Sequence, residues 1–107
     1  MSEKIAEYSA FWPYYLRAHA KPATRGLHYI GCALALVFLG LGLLRGPIFF
    51  LAVPLAGYGF AWVAHFFVEH NKPATFSYPL WSLYSDWRMF GLFITGRIKE
   101  HLTAARL

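Results

Sequence analysis

Two long apolar runs dominate the pattern of hydrophobic and polar positions. Between Arg25 and Arg45 lie 19 residues without Asp, Glu, Lys or Arg, and between Arg45 and Glu69 lie 23 more. An α-helix rises about 1.5 Å per residue, so about 20 residues cross a hydrocarbon layer of roughly 30 Å. The connection Arg45-Gly46-Pro47 has a glycine to reverse the chain and a proline suited to the first helical position. The pattern predicts two transmembrane helices that form a hairpin.

The segments on either side of the hairpin are also predicted to be helical. Residues 9–20 are rich in aromatic side chains, which are enriched in the headgroup layer, and this helix should end before Pro22. Residues 80–105 can form one long helix, in which Asp86 and Arg88 are expected to make a solvated rim. Its apolar stretch 89–96 is long enough to dip into a membrane. The expected fold is an all-α integral membrane helical bundle in a single domain, 1–107, with amphipathic or re-entrant helices flanking the two-span hairpin.

Composition supports a membrane protein and excludes several other classes. Hydrophobic residues make up 58% of the chain and charged residues only 14%, where a soluble domain has about 25%. The net charge of +5 comes from basic residues that flank the apolar runs, so it predicts a lipid bilayer as partner and no nucleic acid. The single cysteine, Cys32, excludes an intrachain disulfide framework and a zinc site built from several thiolates.

The distribution of basic residues predicts the topology. Four precede the hairpin, five follow it, and only Arg45 lies in its turn, so the positive-inside rule places both termini in the cytoplasm. The first ten residues include Glu3, Lys4 and Glu7 and lack an apolar core, so we expect no cleavable signal peptide. The expected location is the inner membrane of a bacterium or the endoplasmic reticulum of a eukaryote.

A short internal repeat marks two positions along the chain. The sequence His-Ala-Lys-Pro-Ala-Thr at 19–24 recurs as His-Asn-Lys-Pro-Ala-Thr at 70–75, with five of six residues identical. Because proline prevents a preceding helix from continuing, each copy should follow a helix end. The repeat predicts two pseudo-equivalent corners, each presenting a histidine.

Four of the five histidines fall at the ends of the predicted membrane helices: His19, His28, His65 and His70. A hairpin returns the chain to its starting face, so these imidazoles should share one membrane level. Ionisable groups in membrane segments are costly and indicate function, and imidazole is the commonest metal ligand. We therefore expect the four histidines to form a catalytic metal site. Glu69 is either a further ligand or a partner that holds an imidazole N–H, and His101 is expected to have no role.

The motifs His19-x-x-Pro22-x-x-Arg25-x-x-His28 and His65-x-x-x-Glu69-His70-Asn71-Lys72-Pro73-Ala74 resemble a family of small membrane proteins. This family includes the yeast 2-hydroxy fatty acid dioxygenase of fatty-acid α-oxidation, and the resemblance covers nearly the whole chain. It implies an iron(II)-dependent dioxygenase that converts a long-chain 2-hydroxy fatty acid and O2 to the acid one carbon shorter plus CO2. The family's histidines correspond to His19, His28, His65 and His70.

Three basic residues near these histidines are candidates to bind the substrate carboxylate: Lys21, Arg25 and Lys72. Two other functions remain open from the sequence. The protein can be a non-catalytic membrane binding or scaffold protein whose histidines line a headgroup pocket or partner interface. It can also be a haem or di-metal redox protein, because paired histidines on membrane helices also ligate haem.

Overall fold

The computed structural model of the protein describes residues 5–107, and every regular element among them is helical. The contacts divide these residues into two compact units, one made of residues 21–73 and the other of residues 5–20 and 74–107. The prediction of an all-α fold is confirmed. Each unit is described by itself.

The first unit is the predicted hairpin. Helix α2 covers Pro22–Leu44, and the return begins with a 3-10 turn, Pro47–Leu51, continues as α3, Ala52–Val63, and ends in a π-helix, Ala64–Glu69. Prolines stand at the first turn of both arms, where the missing N–H costs no helical hydrogen bond. The arms join at Arg45 and Gly46, as predicted.

Both arms are long and apolar enough to span a membrane. Each is 23 residues long, and the most apolar 18-residue stretches of the two arms have mean hydropathies of 2.1 and 1.7. Only 28% and 17% of the residues in these stretches are buried, whereas the core helix of a soluble protein would be mostly buried. The outward surfaces of Leu43, Leu44 and Leu55 are therefore suited to contact lipid.

The second unit packs three helices: α1, Tyr8–Arg17; α4, Pro79–Ile94, preceded by a 3-10 turn at Ala74–Phe76; and α5, Ile98–Ala104. Its core contains Phe11, Tyr15 and Leu16 from α1 together with Met89 from α4. Hydrogen bonds reinforce this packing, including one of 2.8 Å between the Tyr8 hydroxyl and Ser85 Oγ.

The prediction of one long helix over 80–105 is wrong, because the chain breaks between α4 and α5. Gly96 has a φ of 74°, a left-handed conformation that glycine adopts without a Cβ penalty. The Arg97 N–H then donates to the Leu92 carbonyl at 2.8 Å and the Gly96 N–H to the Phe93 carbonyl at 3.1 Å. These two bonds form a Schellman motif, which ends α4.

Asp86 and Arg88 do not form the predicted solvated rim. The Tyr15 hydroxyl donates a hydrogen bond to Asp86 Oδ1, and burial raises the pKa of Asp86 to about 7 even though this bond opposes the shift. The Arg88 guanidinium lies 4.1 Å from the centroid of the Trp12 ring, which is a cation–π distance. Both side chains are part of the packing between α4 and α1.

Candidate metal centre

Two buried imidazoles meet at the open end of the hairpin. His28 lies near the start of α2, and His65 is the second residue of the π-helix that ends the other arm. Their ring centroids are 5.1 Å apart with the planes at 88°. Residues 37 positions apart in sequence are thus brought to one point, as the hairpin predicted.

Close approach of the two arms next to this pair depends on Gly31, which lies one helical turn beyond His28. A Cβ at position 31 would lie 2.9 Å from the Ala56 carbonyl oxygen and 3.1 Å from Phe60 Cβ. Any larger residue would force the arms apart, so glycine here sets the distance between α2 and α3.

The hydrogen bonds of the two imidazoles determine which nitrogen carries the lone pair that a metal would need. The Nδ1 of His28 lies 3.0 Å from the Thr24 carbonyl oxygen, and the Nδ1 of His65 lies 2.7 Å from Asn71 Oδ1. Both oxygens only accept, so each Nδ1 must carry the proton and each Nε2 carries the lone pair. Metal-binding histidines typically have this arrangement, in which an oxygen fixes the ring and its tautomer.

Glu69 closes the open end of the hairpin. Its Oε2 accepts hydrogen bonds from the Lys21 backbone N–H at 2.6 Å and from Thr24 Oγ1 at 2.8 Å, and the Lys21 ammonium donates to the Val68 carbonyl at 2.9 Å. These bonds tie the start of α2 to the end of the returning arm. Because Thr24 also provides the carbonyl for His28, Glu69 holds the residue that orients an imidazole.

His19, which belongs to the other unit, is 1% exposed. Its Nδ1 lies 2.6 Å from the Tyr15 carbonyl oxygen, four residues earlier, just as His28 is bonded to Thr24. Its Nε2 is therefore also the nitrogen with the lone pair. His19, His28 and His65 are thus three buried histidines, each of which can offer Nε2 to a metal ion.

The fourth predicted ligand, His70, is not in this group. It is exposed and adopts a left-handed conformation, φ 58° and ψ 44°, at the C-terminal end of the π-helix. The two copies of the repeat are therefore not equivalent. Pro22 of the first copy starts a long α-helix, whereas Pro73 of the second precedes only a short 3-10 turn.

The remaining residues singled out from the sequence lie at the surface or pack against another helix. Lys21 and Lys72 are exposed, and Arg25 is partly exposed in the first turn of α2, three residues before His28. His101 lies in α5, where its Nδ1 accepts a hydrogen bond of 3.1 Å from Trp12 Nε1.

The sequence analysis missed the residues that orient the imidazoles, although one of them could have been recognised from the repeat. The only position at which the two repeat copies differ is Ala20 against Asn71, and Asn71 is the partner of His65. A polar amide that replaces alanine next to a candidate ligand is the kind of change that such a partner requires. The backbone carbonyl of Thr24 has no comparable signal, since any residue supplies one.

These features define an all-helical protein with two helices suited to span a membrane and with buried histidines of the tautomer that binds metals. A family model described as 2-hydroxy-palmitic acid dioxygenase Mpo1-like matches residues 5–98. The chain belongs to this Mpo1-like family, and the resemblance found in the sequence motifs is confirmed. No curated protein and no solved structure matches the chain.

Proposed function

We propose that the protein is a membrane-embedded, iron(II)-dependent dioxygenase that shortens long-chain 2-hydroxy fatty acids by one carbon. One observation carries the proposal: His19, His28 and His65 each have Nδ1 bonded to an oxygen acceptor, so all three are held in the tautomer that offers Nε2 to a metal. The family's described activity supplies the reaction class.

The donor set fits the metal that this reaction needs. Three neutral imidazoles suit Fe, Zn, Cu or Ni, and a three-ligand set leaves coordination positions for substrate and O2. A metal that activates O2 by electron transfer must be redox-active, which zinc is not. Iron bound by His19, His28 and His65 would supply the one-electron chemistry that allows O2 to react with an organic acid.

The chain limits how far His19 can lie from the other two ligands. Lys21 is fixed by Glu69 and Val68 at the end of the hairpin. His19 precedes Lys21 by two residues, which span at most about 7 Å. In this proposal Glu69 serves as an anchor for the ligands. His70, the fourth ligand expected from the sequence, stays outside the centre.

The overall reaction balances without an external reductant. A 2-hydroxy acid, R-CH(OH)-COOH, and O2 give R-COOH, CO2 and H2O; the C1–C2 bond breaks, and the two carbons lose the four electrons that O2 gains. Arg25 is the first candidate to receive the substrate carboxylate, because it lies at the positive N-terminal end of α2 one turn before His28. Lys21 and Lys72 are weaker candidates, and the Lys21 ammonium already binds the Val68 carbonyl.

A substrate with a long acyl chain fits a protein whose arms present apolar surfaces. Its tail would lie in the bilayer and its carboxylate at the headgroup level, near the end of the hairpin. Each CH2 buried in lipid contributes about 0.8 kcal/mol, so long substrates should bind much more tightly than short ones. Both termini are proposed to face the cytoplasm.

The test is metal content and turnover of protein purified in detergent without a histidine tag. Iron-loaded protein should consume O2 with 2-hydroxypalmitate and release CO2 and the C15 acid, while palmitate, which lacks the hydroxyl, should not react. His28→Ala should lower bound iron and abolish turnover, and His101→Ala should do neither. A Soret band would favour the haem alternative, and the absence of stoichiometric metal would favour the scaffold alternative.

A further inference from the structure

A column of planar side chains runs through the second unit and ends at His19. The Arg88 guanidinium lies 4.1 Å from the Trp12 ring centroid. Trp12 stacks on Tyr15 with 5.7 Å between centroids and 10° between planes, and Tyr15 lies 4.1 Å from the His19 ring at 31°. Tyr15 itself is fully buried.

Tyr15 makes two separate contacts with His19. Its backbone carbonyl accepts the Nδ1 proton at 2.6 Å, and its ring lies against the face of the imidazole. The first contact fixes the tautomer. The second limits rotation about the bond that joins the imidazole to its Cβ, because a tilted ring would collide with the phenol. Together they fix the direction in which Nε2 points.

The position of the Tyr15 ring is itself fixed by contacts with α4, beginning at its hydroxyl group. Its hydroxyl donates a hydrogen bond to Asp86 Oδ1 on α4. Trp12, which stacks on Tyr15, is held by the Arg88 guanidinium on the same helix. A carboxylate on α4 thus controls a ring on α1 that in turn orients an imidazole.

We propose that Tyr15, anchored by Asp86, is a positioning residue that sets the ring plane of His19 for metal binding. This inference rests on the proposed function only in that His19 is taken as a ligand. In this proposal neither Tyr15 nor Asp86 is a ligand of the metal. Substitution of either residue should change the geometry and the metal affinity of the centre more than it changes the stability of the fold.

The test compares variants in the binding of Co2+, whose visible absorption reports ligand geometry. Tyr15→Phe keeps the ring and loses only the anchor, so affinity measured by chelator competition should fall roughly two- to tenfold, the equivalent of one buried hydrogen bond, and the cobalt bands should shift. Tyr15→Leu also removes the stacking and should cost roughly 10- to 100-fold, as losses of ligand-orienting contacts do.

Matched variants separate positioning from folding. Tyr14→Phe makes the same change on the preceding residue of α1, which is exposed, and should behave as wild type. Asp86→Asn keeps an oxygen acceptor and should retain most of the affinity, whereas Asp86→Ala should match Tyr15→Phe. The double variant Tyr15→Phe/Asp86→Ala should lose no more than either alone, because both changes break the same bond.

The outcomes distinguish this inference from the proposed function. If wild-type protein binds Co2+ and Tyr15→Phe leaves both affinity and spectrum unchanged, the positioning role is refuted while the metal site stands. If wild-type protein binds no metal, the proposed function fails, and the His19 ring protons then decide the inference by NMR. Their shielding by the phenol should change in Tyr15→Phe, and unchanged shifts would refute it.

Discussion

Replacement of Gly31 by alanine tests whether the close approach of the two arms sets the metal centre. Gly40 on the same helix is the matched control, because a Cβ there meets nothing within 4 Å. The two variants make the same chemical change in the same helix. They differ only in the space that the new methyl group finds.

The magnitude follows from the distances. At position 31 the methyl carbon would lie 2.9 Å from the Ala56 carbonyl oxygen, where ordinary contact begins at 3.4 Å, so the arms must separate by about 0.5 Å (3.4 − 2.9). The obstacle is backbone, which cannot move alone. Alanine gains about 1 kcal/mol over glycine in a helix, and overpacking costs about 1–3 kcal/mol. Gly40→Ala should therefore stabilise by up to about 1 kcal/mol, and Gly31→Ala should be neutral or cost up to about 2 kcal/mol.

Two measurements compare the variants with the wild type. Unfolding in detergent gives the stability difference, and chelator competition with Co2+ gives the affinity of the centre. Separation of the arms one turn from His28 should weaken the binding of metal in Gly31→Ala and leave it unchanged in Gly40→Ala. If both variants gain the same stability and bind metal equally, the close contact at Gly31 does not control the site and this reasoning is wrong.

Three further outcomes follow from the same contacts. Asn71→Ala removes the hydrogen-bond acceptor of His65 and should lower metal affinity roughly 10- to 100-fold in the same competition assay. Asn71→Asp keeps an oxygen acceptor and should retain the affinity of the wild type. Equal affinity of Asn71→Ala and wild type would contradict the role of Asn71. The unfolding free energy should fall as pH rises from about 4 to about 7, because burial raises the Asp86 pKa to about 7 and the folded state holds a proton that the unfolded state releases; Asp86→Asn should remove this slope in pH-dependent denaturation, and a slope unchanged by the substitution would contradict it. A cysteine placed at Arg45 should react with an impermeant reagent from outside the cell, whereas labelling of Ser2→Cys from that side would overturn the topology.

The helices could be predicted from sequence because length, hydropathy and proline positions determine them locally. Pro22, Pro47 and Pro79 each stand in the first turn of a helix or 3-10 turn. The break at Gly96 was missed, although the glycine is visible, because the apolar and basic residues around it suit a continuous helix. Only the left-handed backbone at that residue ends α4.

The sequence predicted four histidines as metal ligands, and the structure shows that three of them are buried and one is exposed. Counting histidines at helix ends includes His70, and the repeat makes it look equivalent to His19. Burial separates them: His19 is enclosed, and His70 is exposed in a left-handed conformation after a π-helix. A π-helix forms when backbone hydrogen bonds join residues five apart in place of four, and no residue pattern in this chain predicts that change.

The meeting of His28 and His65 at the open end of the hairpin has a consequence for the lifetime of the protein. In the proposed function, a metal bound at the open end would cross-link a loop whose two ends are 37 residues apart, and it would bind the folded chain in preference to the unfolded chain. At a free metal concentration 100 times the dissociation constant this adds about 2.7 kcal/mol to stability. A cell short of the metal would then hold a less stable hairpin with a fraying open end, which proteases recognise. The abundance of the protein would then follow the supply of its metal.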